Sequence, residues 1–254
     1  MPRLDIARLL GYWPAAILAL LAIGIGLAGL NASLFLAAHE AARALPAAVW
    51  RLVSVFGDWQ TILTLTLALS WRYPAQAPGM MAACASGILL AIVLKAGFAV
   101  PRPPLVLPAG KVILLDGLPK NGSFPSGHAM AATTLAVMIW HGAGKSAALG
   151  GMLALGVGLV MLSRLAIGVH WPLDVLAGAA LGYAVSRWAM MANKSAVCLL
   201  GRLEWVQTAA LLALAAGLAR WALRPALHEE YWVRMSIGAI VLLAGASRWR
   251  RRRA

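Results

Sequence analysis

The stretch SAALGGMLALGVGLVMLSRLAIGVHWPLDVLAGAALGYAVSRWAMM, residues 146–191, decides the architecture. It holds two apolar runs, 146–167 and 171–191, each close to the roughly 20 residues that a helix needs to cross the hydrocarbon core of a bilayer. Between them lies a short polar island, with Ser163 and Arg164 closing the first run and His170 and Asp174 opening the second. Runs of the same kind recur at about 13–31, 55–71, 79–99, 126–141, 204–223 and 231–247, which makes eight candidate spans. The sequence is 62% hydrophobic and only 12% charged, against about 25% charged in a soluble domain. These features predict an all-α, polytopic membrane bundle with no soluble module appended. The first run is long enough to stay in the bilayer as an anchor rather than be cleaved as a signal peptide.

Two intervening segments stand out. Residues 31–54 mix apolar and polar side chains, His39, Glu40, Arg43 and Arg51 among them, and read as an interfacial helical excursion interrupted at Pro46. Residues 100–124 form the longest clear loop, with five prolines and the cations Arg102, Lys111 and Lys120. Gly178 and Gly182 lie four apart, so they let a neighbouring helix approach the sixth span closely.

The formal charge of +14 does not imply nucleic-acid binding, because the basic residues sit singly between apolar runs and form no continuous face. The dense cluster Arg248, Arg250, Arg251, Arg252 and Arg253 directly follows an apolar run, as a cytoplasmic membrane-flanking anchor does. With both termini cytoplasmic, 12 basic residues fall inside and 10 outside. Three of the outside ones, Lys95, Arg102 and Arg164, have a chemical reason to be there, which strengthens the inside bias. Cys84 and Cys198 give neither a disulfide framework nor metal-ligand spacing and read as small buried hydrophobes.

Ionisable residues inside spans cost about 2.5–3.5 kcal/mol each on insertion scales, so each calls for a function. Here they form three groups: Lys95 with Arg102-Pro103, then Pro125-Ser126-Gly127-His128, then Ser163-Arg164 with His170 and Asp174. The loops joining spans three to four and five to six must lie on one face of the membrane, and all three groups border those loops. Lys95, Arg102 and Arg164 suit a phosphate, arginine being able to bind two oxygens at once. Ser126 and Gly127 open a helix, where free N–H groups and the dipole favour an anion, and Gly127 admits a bulky phosphoryl group. His170 and Asp174 are four apart on one helical face, so the carboxylate orients the imidazole for nucleophilic attack. His128, on another helix, is placed to protonate a leaving oxygen. Taken singly, a His-x3-Asp pair is often a surface pair, Pro-Ser-Gly-His a helix cap, and a terminal lysine a snorkelling side chain. It is their joint occurrence, in order and on one face, that favours chemistry.

Together, Lys95-x6-Arg102-Pro103, Pro125-Ser126-Gly127-His128 and Ser163-Arg164-x5-His170-x3-Asp174 resemble the three-part signature of the type 2 phosphatidic acid phosphatase (PAP2) superfamily, with no departure at these positions. The signature occupies residues 95–174, and the likeness in span layout covers about 13–191. The resemblance implies a six-helix catalytic core, residues 1–192, with two additional C-terminal spans and a basic tail in residues 193–254. It implies His170 as nucleophile, Asp174 as its partner and His128 as general acid. Lys95, Arg102, Ser126, Gly127 and Arg164 would then hold the phosphate, with no metal and no cofactor. Bacterial membrane members of the family typically face the periplasm, in agreement with the charge count.

The expected activity is hydrolysis of a lipid phosphate or diphosphate through a phosphohistidine, in a bacterial inner membrane. The expected partners are the bilayer and the lipid substrate, and no nucleic acid. The rival readings are a lipid phosphotransferase that uses the same phosphohistidine and a non-catalytic anionic-lipid transporter that needs only the cations. Outside the signature, Asp58 is expected to pair with Arg51 or to shape the substrate entrance. Asp116 is expected to pair with Lys111 or Lys120, and Trp171 to act as an interface anchor. His39 has no assigned role.

Overall fold

The structure, a computed structural model, describes residues 11–191, 207, 209–210, 213–217 and 229–253. Most of the expected span 204–223 lies outside the described residues, as do Cys198 and the basic residues Arg3, Arg8, Lys194, Arg202, Arg220 and Arg224. The described chain is all helical. Its α-helices are α1 (Trp13–Leu27), α2 (Asn31–Ala42), α3 (Ala47–Val55), α4 (Trp59–Arg72), α5 (Ala77–Phe98), the single turn α6 (Pro103–Val106), α7 (Gly127–Gly142), α8 (Ala147–Ala166), α9 (Pro172–Met191) and α10 (Glu229–Arg253).

Two stretches, 74–106 and 147–166, are long and apolar enough by themselves to cross a membrane. Two more qualify if each bent pair, α1 with α2 (108°) and α3 with α4 (45°), is taken as one span. Of the inner helices, α7 has only 16 residues. A helix surrounded by other helices does not need the uniformly apolar surface that lipid demands of an outer one. Residues 31–54 form the two helices expected there, with Pro46 as the N-cap of the second, where its fixed φ and missing N–H do least harm.

Helix α9 is the centre of the bundle and packs on α7, α1 and α5. Its buried face is built mainly of small residues, Gly178, Ala179, Ala180, Gly182, Ser186 and Ala189. The close approach expected at Gly178 and Gly182 is present, and the neighbour is α7. A Cβ at Gly182 would lie 2.5 Å from the carbonyl oxygen of Met130, and one at Gly178 would collide with that of Ser126. One turn further on, Ser186 Oγ donates to Thr134 Oγ1 at 3.0 Å. The register is regular: residues 178, 182 and 186 of α9 face residues 126, 130 and 134 of α7. Asp174 continues the same stripe, and its carbonyl accepts from Ser126 N at 2.9 Å. The packing face of α9 therefore delivers Asp174 to the start of α7.

The loop 99–126 is tied down by side chains. His39 is buried on α2, with Nδ1 2.9 Å from Leu165 O and Nε2 accepting from Ile113 N at 3.1 Å. Those partners make it a neutral imidazole protonated on Nδ1. Its role is structural, holding the loop across the end of α8. Arg51 donates to Leu115 O from Nε (3.1 Å) and Nη2 (2.9 Å) and pairs with Asp116 at 3.3 Å. Asp116 thus finds its partner on α3 rather than at Lys111 or Lys120, because the loop folds back over the bundle. Cys84 is buried, as expected.

The α7–α9 contact has a measurable consequence. Gly182→Leu is expected to destabilise the protein by on the order of 1–3 kcal/mol, because the backbone of Met130 must move. Gly156→Ala, where nothing lies within 4 Å, is expected to leave thermal stability unchanged or slightly raised. Melting of both variants in detergent tests this, and equal melting temperatures would contradict the packing.

Candidate active site

The site is assembled from three chain segments at one end of the bundle: residues 95–103, 121–128 and 164–174. Lys95 is in the last turn of α5, and its Nζ donates to Gly122 O at 2.8 Å and Ser123 O at 3.3 Å. Arg102 is buried at the N-cap of α6. Its Nε donates to Asn121 O (3.1 Å), Nη1 to Val169 O (2.7 Å), and Nη2 to Asn121 Oδ1 (2.7 Å) and Gly122 O (3.2 Å). Four of its five N–H groups are thus spent on the protein. Sequence reasoning made both cations phosphate ligands. The structure shows both holding the 121–123 segment in place, which leaves each one N–H to offer elsewhere.

Ser126 is the N-cap of α7, with its Oγ accepting from Ala129 N at 3.4 Å, a cap typically worth about 1 kcal/mol. The N-terminal end of α7, with Gly127 and His128, therefore faces the polar end of the bundle with its dipole positive. Gly127 lies beside the Trp59 indole, whose Nε1 would be 3.7 Å from a Cβ at this position, and Gly57 packs on the backbone of His128.

Arg164 is buried in the last turn of α8. Its Nη1 donates to Ser54 Oγ at 2.6 Å, while its buried Nε has no hydrogen-bond partner. The chain then turns at Gly168 (φ +87°), a conformation glycine adopts without a steric penalty, and Val169 N bonds back to Arg164 O at 3.3 Å. This turn carries His170 directly beneath the cations. His170 is buried, and its Nδ1 lies 3.4 Å from Asp174 Oδ2 and 3.4 Å from Ser123 Oγ. Asp174 Oδ2 also accepts from Trp171 N at 2.8 Å and from the Ser123 hydroxyl in a short hydrogen bond.

The sequence reading missed Ser123, which precedes the Pro-Ser-Gly-His stretch and lies in no helix. Nothing local in the sequence marks it. Only the fold brings its hydroxyl to the carboxylate and the imidazole together. Trp171 is not an interface anchor: it is buried, its Nε1 donates to Pro101 O at 2.9 Å, and it packs edge-on against Phe35. Asp58 pairs with Arg234 of α10 at 3.2 Å rather than with Arg51, which is engaged by the long loop.

The electrostatics follow from this arrangement. Burial, then the charges of Arg164, Arg102 and Lys95, hold the His170 imidazole well below its usual range. It is neutral at pH 7, with a ring-nitrogen lone pair available. Among the described residues no three His, Cys, Asp or Glu side chains gather as a metal site would require.

The PAP2 superfamily model matches residues 78–197, which contain the whole signature. An undecaprenyl-diphosphatase of Sulfolobus acidocaldarius is 43% identical over 76 residues, covering 29% of this chain and 34% of that protein. The match thus spans about a third of that relative. The crystal structure of Aquifex aeolicus LpxE superposes with a TM-score of 0.58 and 29% identity, covering 63% of this chain and 94% of the other. A transmembrane PAP2-type phosphatidylglycerolphosphate phosphatase from Bacillus subtilis shares the fold, with a TM-score of 0.53 at 22% identity over 72% of this chain and 93% of that one.

Because His170 has its proton affinity depressed, it takes up a proton only well below pH 6.5. Nitrogen chemical shifts of labelled histidine in the detergent-solubilised protein are expected to show His170 neutral throughout the neutral range. Arg164→Gln, which removes the neighbouring charge that acts on it most strongly, is expected to move the titration upward. A His170 that titrates near 6.5 and ignores this substitution would contradict the description.

Proposed function

We propose, from the premise that residues 78–197 place this chain in the PAP2 superfamily, that it hydrolyses the phosphate or diphosphate head group of a membrane lipid. One observation carries the reading: a buried, neutral His170, braced by Asp174 and Ser123, beside a buried Arg164 whose Nε is unpartnered. A neutral imidazole next to an arginine with an uncommitted N–H suits a phosphoryl group better than any ligand without an oxyanion. The candidate residues lie at or next to the ends of apolar helices, which favours a lipid phosphate over a soluble one.

In the proposed reaction Asp174 and Ser123 hold the His170 ring from its Nδ1 side, and Nε2 attacks phosphorus. The bond from phosphorus to the lipid oxygen breaks, and His128 gives that oxygen its proton. Water, deprotonated by His128 in the reverse role, then attacks the phosphohistidine and releases phosphate with His170 free again. Arg164, the remaining N–H groups of Lys95 and Arg102, the Ser126 hydroxyl and the N–H of Gly127 at the start of α7 stabilise the charge on the transferring oxygens. No step calls for a metal. Likeness to the undecaprenyl-diphosphatase makes a polyprenyl diphosphate the first substrate to test. Phosphatidic acid, phosphatidylglycerophosphate and lipid A type phosphates are the alternatives. The basic-residue distribution supports an inner-membrane location with the site facing the periplasm.

Purified protein in detergent is expected to release phosphate from at least one of these lipids in the presence of EDTA. Release that EDTA abolishes and a divalent ion restores would overturn the metal-free mechanism. Transfer to another lipid would identify a phosphotransferase, and binding without turnover a transporter.

The two histidines are expected to separate by leaving group. His170→Ala abolishes turnover of both lipid and aryl phosphates. His128→Ala loses roughly 10²–10⁴-fold on the lipid but less on p-nitrophenyl phosphate, whose leaving group needs no proton. The decisive measurement is a single-turnover burst of phenolate: a burst from His170→Ala and none from His128→Ala would reverse the assignments.

The orientation is tested with one cysteine introduced between residues 104 and 120 of a variant lacking Cys84 and Cys198. An impermeant thiol reagent is expected to label it in intact cells whose outer membrane is permeable. Labelling that appears only after the inner membrane is opened would place the site in the cytoplasm.

A further inference from the structure

The family resemblance leaves the C-terminal part of the chain without a role, and the structure places it beside the proposed site. Helix α10 packs on α3 and α4. Together with described residues between 207 and 217 it lines, against α4 and α5, a half-open cavity of about 630 Å³, within the usual range for a bound small molecule. Thr64, Leu67, Met81, Ile88, Leu214 and Ile237 are among its walls.

Several polar groups on these walls are satisfied within the wall itself. Thr64 Oγ1 donates to Gln60 O at 2.8 Å, Thr66 Oγ1 to Ile62 O at 2.7 Å and Ser70 Oγ to Leu67 O at 2.7 Å. Gln207 Nε2 donates to Ser70 Oγ at 3.0 Å. With these hydroxyl protons spent inside the wall, the lining is mostly hydrocarbon, and Gln60, Thr61 and Arg234 are among its remaining polar members. On α4 the wall runs from Gln60 to Ser70, about 15 Å of helix, or half the hydrocarbon thickness of a bilayer.

The charged end of the cavity adjoins the reaction. Arg234 lines it and pairs with Asp58, the N-cap residue of α4. The preceding Gly57 packs so tightly on His128 that a Cβ there would lie 2.9 Å from His128 Cβ. In a displacement at phosphorus the leaving oxygen departs on the side opposite the nucleophile. That is the side of His128, and the leaving oxygen is the atom that carries the lipid. The Asp58–Arg234 pair thus lies between the His128 side of the site and this cavity.

We infer that the cavity between α4, α5, α10 and the described residues between 207 and 217 binds a hydrocarbon chain of the substrate lipid, making α10 and those residues a tail-recognition element. This inference rests on the hydrolase reading above, and two readouts keep the two apart.

The first compares kcat/KM for dioleoyl phosphatidic acid with that for phenyl phosphate, which has no tail. Ala85→Trp on α5 and Ala213→Trp on the opposite wall fill the cavity. Each is expected to lower the ratio at least about tenfold, since excluding two buried methylenes suffices for that factor. Leu155→Trp, on the exposed face of α8, serves as control with an unchanged ratio. An unchanged ratio in both cavity variants, or equal losses on the two substrates, overturns the inference.

The second readout needs no turnover. A phosphatidic acid with a diazirine in mid-chain is photolysed with the wild-type protein, and the labelled residues are mapped by mass spectrometry. Labels at Thr64, Met81 or Ile237 support the tail site, and labels confined to other faces overturn it. Labelling in the cavity by a protein that releases no phosphate would keep the tail site and overturn the hydrolase reading.

Discussion

The contact between α7 and α9 is the constraint on which the rest of this protein depends. Two glycines and a serine at four-residue spacing let the backbones approach until carbonyl oxygens of α7 meet the surface of α9. Lipid gives no hydrophobic incentive for helices to associate, so close packing of small residues has to supply the cohesion. The same stripe continues to Asp174, whose carbonyl bonds the N-cap residue of α7. The distance between the Asp174 and Ser126 segments of the candidate site is thereby set by helix packing rather than by loop conformation. A site so placed is held rigidly although most of its residues lie at helix ends or in turns.

The cations of the signature divide their work. Lys95 and Arg102 spend most of their N–H groups on the carbonyls of Asn121, Gly122, Ser123 and Val169. This is how their burial is tolerated, since each charged donor is met by a backbone acceptor that would itself be costly unpaired. They also shape the segment that carries Ser123 to Asp174. Arg164 differs, being anchored through Ser54 and buried, with its Nε uncommitted. Two of the basic residues therefore hold a backbone segment in place, while the third keeps an unpartnered N–H. All three depress the proton affinity of His170 and keep its imidazole neutral.

Around this centre, residues that look unremarkable in the sequence act as fasteners. His39 grips both the end of α8 and the long loop, Trp171 reaches Pro101, and Arg51 holds Leu115 and Asp116. Each fixes one side of the 100–124 loop, a segment rich in proline that no regular secondary structure would otherwise order. Arg234, far outside the signature, contributes the partner of Asp58 and brings the C-terminal helix to the edge of the site.

The sequence alone determined what local chemistry and periodicity control. Apolar runs of span length announced a helical membrane bundle, and a sparse set of ionisable residues, each costly in lipid, announced the site. Counting helices placed Lys95, Arg102, His128, Arg164, His170 and Asp174 at one end, because successive crossings alternate sides. The small-residue spacing of Gly178 and Gly182 foretold close packing. What only the tertiary structure decided was every pairing between segments distant in the chain. Ser123 with Asp174, His39 with Leu165 and Ile113, Arg51 with Asp116 and Arg234 with Asp58 depend on how the helices bend and cross. The bend of 108° between α1 and α2, and the fold of the long loop over α8, leave no periodic trace in the residues that make them. Hydrophobic periodicity records which face of a helix is covered. It does not record by what, since the identity of the covering group is a property of three-dimensional packing and not of the segment itself.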